Sequence, residues 1–126
     1  MVLIVDTYAW IEYFKGSEAG KIIKEKIEGR GNITPTIVLA EMKKRFTDWG
    51  RSDFEEKLDF IHSTSAIVPL DEQTAIEAGR IRSTIGVQGI SIVDCILLAT
   101  SRLYGMKVLT GDEHFKNLSE ADYFGE

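Results

Sequence analysis

The apolar positions of this chain change their period repeatedly, and each change marks an element. Val2-Leu3-Ile4-Val5 is apolar throughout, the pattern of a strand covered on both faces. A short helix follows from Tyr8 to Phe14, with Asp6 or Thr7 as its cap. Ser17 opens a second helix, with Ala19, Ile22, Ile23 and Ile27 at helical spacing and Gly29 ending it. Residues 32–34 form a short strand. Thr34 then caps a helix with Pro35 at its first position, which contains Glu41 and runs to about Asp48. Ser52 and Glu55 make a capping box for a helix whose apolar face is Phe54, Leu58 and Ile61. Ala66-Ile67-Val68 is a third strand, and Asp71 caps a helix through Ala75, Ile76, Ala78 and Ile81. Gly86 and Gly89 punctuate a loop. Ser91 caps a strongly apolar helix to Tyr104, which Gly105 closes. Lys107 to Thr110 is a fourth strand, and Tyr123-Phe124 suggests a fifth.

Short apolar runs alternating with amphipathic helices predict an α/β protein with a central, mostly parallel sheet of four to five strands. Right-handed crossovers place the helices on both faces of that sheet. No linker or repeat divides the chain, so residues 1–126 read as a single domain, long enough to bury roughly two thirds of the unfolded surface. Ligands of such sheets bind outside the carboxyl ends of the strands, and Asp6 and Asp112 fall at two of those ends.

Composition narrows the function classes. The chain is 44% hydrophobic and 28% charged, ordinary for a soluble protein. Its longest apolar runs fall far short of the ~20 residues that span a bilayer, so no membrane association is expected. The start has no basic n-region and no small-residue cleavage site, so it reads as a strand and not as a secretory signal. Cys95 is the only cysteine, which rules out an internal disulfide and suits a reducing cytoplasm. A net charge of −5 argues against a protein that coats nucleic acid through a general basic surface. It leaves a nuclease open, because bound divalent cations offset clustered acids.

Four acids stand where packing alone does not favour them. Asp6 ends the first strand, Glu41 lies within Ile37-Val38-Leu39-Ala40-Glu41-Met42, Asp94 interrupts residues 90–98, and Asp112 follows Val108-Leu109-Thr110 by one glycine. Each has a structural alternative. Asp6 can cap a helix, Asp94 can complete a capping box with Ser91, Glu41 can pair with Arg45, and Asp112 can be a turn acid. Buried carboxylates otherwise need a cation or hydrogen-bond donors, and an all-oxygen set suits Mg²⁺ or Mn²⁺.

The remaining candidates are fewer. His62 reads as a surface residue and His114 as a lone histidine unsuited to zinc. Cys95 reads as a buried, inert thiol. No phosphate-loop or dinucleotide fingerprint follows a strand. Lys44 and Arg45 share a helical face with Glu41, where they can hold phosphates, with Arg80 and Arg82 as weaker candidates. Thr110, and Thr7 beside Asp6, can orient a carboxylate or water.

Taken together, Asp6-Thr7-Tyr8-Ala9-Trp10-Ile11 after an apolar strand resembles the opening of PIN domains, especially VapC-type toxins. Residues 34–41, ending in Glu41, are similar to their second acidic motif. Residues 91–99, around Asp94, match the third, and Leu109-Thr110-Gly111-Asp112-Glu113-His114-Phe115 resembles the fourth. The likeness runs in order along almost the whole chain. Tyr8 departs from it, since a small Ser is frequent there. The resemblance implies a PIN-like three-layer α/β/α fold and a Mg²⁺- or Mn²⁺-dependent endoribonuclease. It further implies a cytoplasmic homodimer that cleaves RNA and is blocked by a cognate antitoxin. Asp6, Glu41, Asp94 and Asp112 would then hold the ion, with Thr110 assisting and Lys44 and Arg45 binding substrate. Three competitors remain. A haloacid-dehalogenase-type phosphatase needs a second Asp where Tyr8 stands. A receiver-like signalling domain needs an acceptor Asp after the third strand, where only Asp71 is available. A catalytically silent PIN module would act as a scaffold.

Overall fold

The computed structural model describes residues 2–125, and its core is a five-stranded sheet in which every neighbouring pair runs parallel. The elements alternate as expected. β1 (Leu3–Val5) leads to α1 (Thr7–Lys15) and α2 (Glu18–Ile27). β2 (Asn32–Pro35) leads to α3 (Thr36–Asp48) and α4 (Phe54–Thr64), and β3 (Ala66–Val68) to α5 (Glu72–Thr84) and α6 (Ile92–Tyr104). β4 (Lys107–Thr110), a 3₁₀ turn (Glu113–Phe115) and β5 (Ala121–Tyr123) complete the order. Among the described residues no helix is long and apolar enough to cross a membrane.

The strand order is β3-β2-β1-β4-β5. The chain winds outward from β1 in one direction and then restarts on its other side with β4. That reversal opens a crevice at the carboxyl ends of β1 and β4. Helices cover both faces of β1 and β4, and Leu3, Ile4, Val5, Val108 and Leu109 are all buried. Both α1 and α6 pack on β4, so the first turns of these helices arrive beside the crevice. Trp10 anchors α1. It is fully buried and stacks on Phe14, with ring centroids 5.6 Å apart.

Several local expectations are corrected. Thr34 does not cap α3, because it lies inside β2 with no exposed surface. Its hydroxyl accepts the Trp10 indole N–H at 3.0 Å and bonds Ser65 at 2.7 Å, and Ser65 continues to the Asn32 carbonyl at 3.4 Å. A buried indole N–H needs such a partner, and this demand outweighs a cap that water can replace. Pro35 ends β2 instead, and α3 starts without a side-chain cap. The Ser52–Glu55 capping box does not form. Asp53 holds the cap position and turns its carboxylate to Arg51, Nε to Oδ1 2.9 Å. Ile76, one of the apolar residues of α5, is 68% exposed, because α5 packs against α6 through Ala78 and Ile81. The fifth strand begins two residues earlier than the apolar pair suggested.

Thr34→Val keeps the volume but strands the Trp10 N–H. It should cost about 1–3 kcal/mol. Ser52→Ala should stay within about 0.5 kcal/mol of the parent. Urea denaturation of both variants checks this, and equal midpoints would remove the proposed anchor.

Candidate metal centre

Each acid at the crevice is fixed by a backbone N–H. The extended backbone of Asp6 ends β1, and its carboxylate Oδ1 accepts the Ala9 N–H at 2.7 Å, capping α1. The Asp6 N–H reaches the Leu109 carbonyl at 3.4 Å, which ties this position to β4. Asp94 and Ser91 form a reciprocal capping box on α6. The Ser91 hydroxyl accepts the Asp94 N–H at 3.0 Å, and Asp94 Oδ2 accepts the Ser91 N–H at 3.2 Å. Asp112 caps the 3₁₀ turn by accepting the His114 N–H at 2.9 Å, while its own N–H donates to Thr110 Oγ1 at 3.0 Å. The cap readings open for Asp6 and Asp94 are therefore both realised. They coexist with convergence, since three N-terminal ends meet at one place.

Asp94, Asp112 and His114 each offer a ligand atom within 4.8 Å of the others, a spacing that one metal ion can bridge. Asp6 and Glu41 stand outside this tight group. They share its field, because Asp6 feels the charges of both Asp112 and Glu41. Glu41 is not paired with Arg45. Its Oε1 accepts the Thr7 hydroxyl at 2.8 Å, so Thr7 fixes Glu41 toward the same edge.

His114 is the residue that sequence reasoning set aside. Its Nδ1 lies 2.8 Å from Asp112 Oδ1 and 3.7 Å from Asp94 Oδ2. The buried Nδ1 nevertheless has no hydrogen-bond partner among the described residues. The contact is therefore read as electrostatic. The ring is set by Gly89, whose φ of +80° suits glycine and where a Cβ would come within 3.2 Å of His114 Nε2. The signal available in sequence was the spacing of His114 two residues beyond Asp112, the reach of a cap followed by a single turn.

Electrostatics show what the centre lacks. Burial pushes the Asp6 carboxyl up from 3.8 to about 7, aided by Asp112 and Glu41 and opposed by the Thr110 hydroxyl and the Ala9 N–H. Burial also raises Asp94, as does the charge of Asp112, against the Ser91 bonds and His114. Helix N-termini offset part of this repulsion, but a cation would offset more. The donor set fits a divalent ion, with carboxylate oxygens suited to Mg²⁺ or Mn²⁺ and the free Nδ1 as a nitrogen donor beside them.

A cleft of about 450 Å³ opens over Asp112 and His114, lined also by Tyr8, Arg45, Gly111, Glu113 and Tyr123. Arg45 thus faces the centre, and among the described residues its guanidinium is in no ion pair. Lys44 on the same helix is held by Asp48 at 2.7 Å. Arg80 is paired with Glu77, and His62 is exposed. Cys95 is buried as a free thiol, and burial raises its pKa.

Folded Asp6 keeps its proton to about pH 7, whereas the unfolded side chain releases it near 3.8. Between those values the folded state binds more protons, so metal-free stability falls as pH rises. Asn retains the Ala9 cap and cannot ionise. The advantage of Asp6→Asn over wild type should grow by on the order of 4 kcal/mol from pH 4 to 7. Denaturation in EDTA across that range checks this, and a pH-independent difference would contradict it.

Comparison with known proteins agrees with this geometry. The PIN domain family model matches residues 3–121. No individual curated protein matches the sequence. Among solved structures, a chain of a toxin-antitoxin complex from Klebsiella pneumoniae is 19% identical, with a TM-score of 0.76 over 98% of this chain and 99% of that one. A chain of VapBC2 from Rickettsia felis, bound to a DNA fragment from its promoter, is 16% identical, with a TM-score of 0.76 over 99% and 98%. VapC20 from Mycobacterium tuberculosis, a Sarcin-Ricin loop cleaving toxin, is 15% identical, with a TM-score of 0.76 over 93% and 95%. At such identities the likeness is one of fold.

Proposed function

Because the chain belongs to the PIN domain family, we propose that it is a Mg²⁺- or Mn²⁺-dependent endoribonuclease, the toxin of a VapBC-type toxin-antitoxin pair. The observation that supports this most strongly is the convergence of Asp94, Asp112 and His114 beside the buried Asp6, at the sheet edge where ligands bind. A cognate antitoxin is the proposed partner, as in the toxin-antitoxin complexes of similar fold. The working form is proposed to be a cytoplasmic homodimer of a single domain.

In this reading Asp6, Glu41, Asp94 and Asp112 hold the ion. When bound, it supplies an acidified water and neutralises charge that builds on the phosphate. Thr7 holds Glu41 in position, and Thr110 and the Ala9 N–H hold Asp6. The Ser91 N–H fixes one oxygen of Asp94. His114 serves as a further donor, or as a cation between Asp94 and Asp112. Arg45 faces the cleft and binds a phosphate of the RNA strand, and Lys44 assists if its bond to Asp48 opens.

Asp94→Asn and Asp112→Asn keep their capping oxygens, so both should fold normally while RNA cleavage with Mn²⁺ falls by at least ~100-fold. Thr7→Val should lower cleavage by roughly 10-fold through a loosened Glu41. A gel assay on purified proteins, with and without EDTA, measures all three. Wild-type rates in both Asn variants would end the metal-nuclease reading. Metal binding without any cleavage would instead favour a silent scaffold.

A further inference from the structure

Tyr8 is 41% exposed, unusual for a large ring two residues from a buried acid. It is nevertheless braced. Its ring packs at 57° against Phe124, with centroids 5.9 Å apart. Both rings close on the backbone of Gly111, where a Cβ would fall 2.8 Å from Tyr8 Cε1 and 2.9 Å from Phe124 Cε1. Only glycine lets the aromatic pair sit this close to the loop that delivers Asp112. Tyr8 and Gly111 border two adjoining clefts. One, of about 450 Å³, contains Arg45, Asp112 and His114. The other, of about 550 Å³, is lined by Ala19, Ile22 and Phe124. The Tyr8 ring therefore lines the same cleft as Asp112 and Arg45 and continues into its neighbour.

Charge points the same way. The chain carries a net −5, and among the described residues Arg45 is the only Lys or Arg lining either cleft. Few counterions can be released, so phosphate contacts alone give weak binding. Stacking on an aromatic is worth about 1–3 kcal/mol per base, is indifferent to base identity and requires an unpaired base. Resting on the ribonuclease reading above, we propose that Tyr8 is a stacking platform for an unpaired base adjacent to the phosphate at the acidic centre. Such stacking requires the base at that step to be unpaired.

The test is fluorescence anisotropy with a short fluorescein-labelled, mixed-sequence RNA strand and the matching duplex, with Ca²⁺ as the divalent ion, across a salt series. Tyr8→Ala and Tyr8→Leu should weaken single-strand binding roughly 5- to 100-fold with an unchanged salt slope, and Tyr8→Phe should bind like wild type. Arg45→Ala should instead reduce the salt slope by about 0.7. Duplex binding should be the same for Tyr8→Ala and wild type. Unchanged single-strand binding in Tyr8→Ala and Tyr8→Leu, or an equal loss on duplex, overturns the stacking role. If wild type still cleaves RNA in that case, the ribonuclease reading survives. Wild type that neither binds nor cleaves RNA overturns both.

Discussion

Like charges held together by backbone N–H groups are the constraint on which this structure turns. Asp6, Asp94 and Asp112 each satisfy a helix or turn start, and each start points at the carboxyl edge of β1 and β4. The cap gives each side chain a fixed direction, and the partial positive charge of each N-terminus makes the proximity tolerable. It does not make it comfortable. Burial, aided by the charges of Asp112 and Glu41, raises the Asp6 carboxyl to about 7, so ionising it in the metal-free protein carries a cost that a cation would offset. The same caps that start the helices thus gather the carboxylates proposed to hold the ion.

Much of this was legible in sequence because the signals were local. A fully apolar run gave β1, Ser91 with Asp94 gave the capping box, and Gly105 marked the end of α6. Local signals failed where a distant partner decided the outcome. Thr34 looked like a cap, but the indole of Trp10 claimed it from 24 positions away. The Ser52 cap failed for a local reason, since Asp53 holds the cap position and pairs with Arg51 two residues before it. Ile76 has apolar character without a partner, since α5 buries a different stripe against α6. His114 was discounted as a lone imidazole, although the same cap that fixes Asp112 places its Nδ1 among the acids.

On the proposed ribonuclease reading, an acidic protein must obtain its affinity for RNA from something other than overall charge. The crevice offers three short-range sources: a candidate site for a divalent ion, the Arg45 guanidinium, which is in no ion pair among the described residues, and the braced ring of Tyr8. Each acts within a few ångströms, so the −5 net charge remains compatible with a phosphate ligand while discouraging contacts elsewhere. Gly111 links the Tyr8 ring to the acidic cluster, because its missing side chain lets the aromatic pair reach the Asp112 loop.

Anomalous diffraction at the manganese edge, from crystals soaked in Mn²⁺, tests the central claim most directly. The account predicts a peak roughly 2–2.3 Å from carboxylate oxygens of both Asp94 and Asp112, with Asp6 turned toward it directly or through water. A fully soaked crystal with no peak in this crevice, and manganese bound only elsewhere, would contradict it.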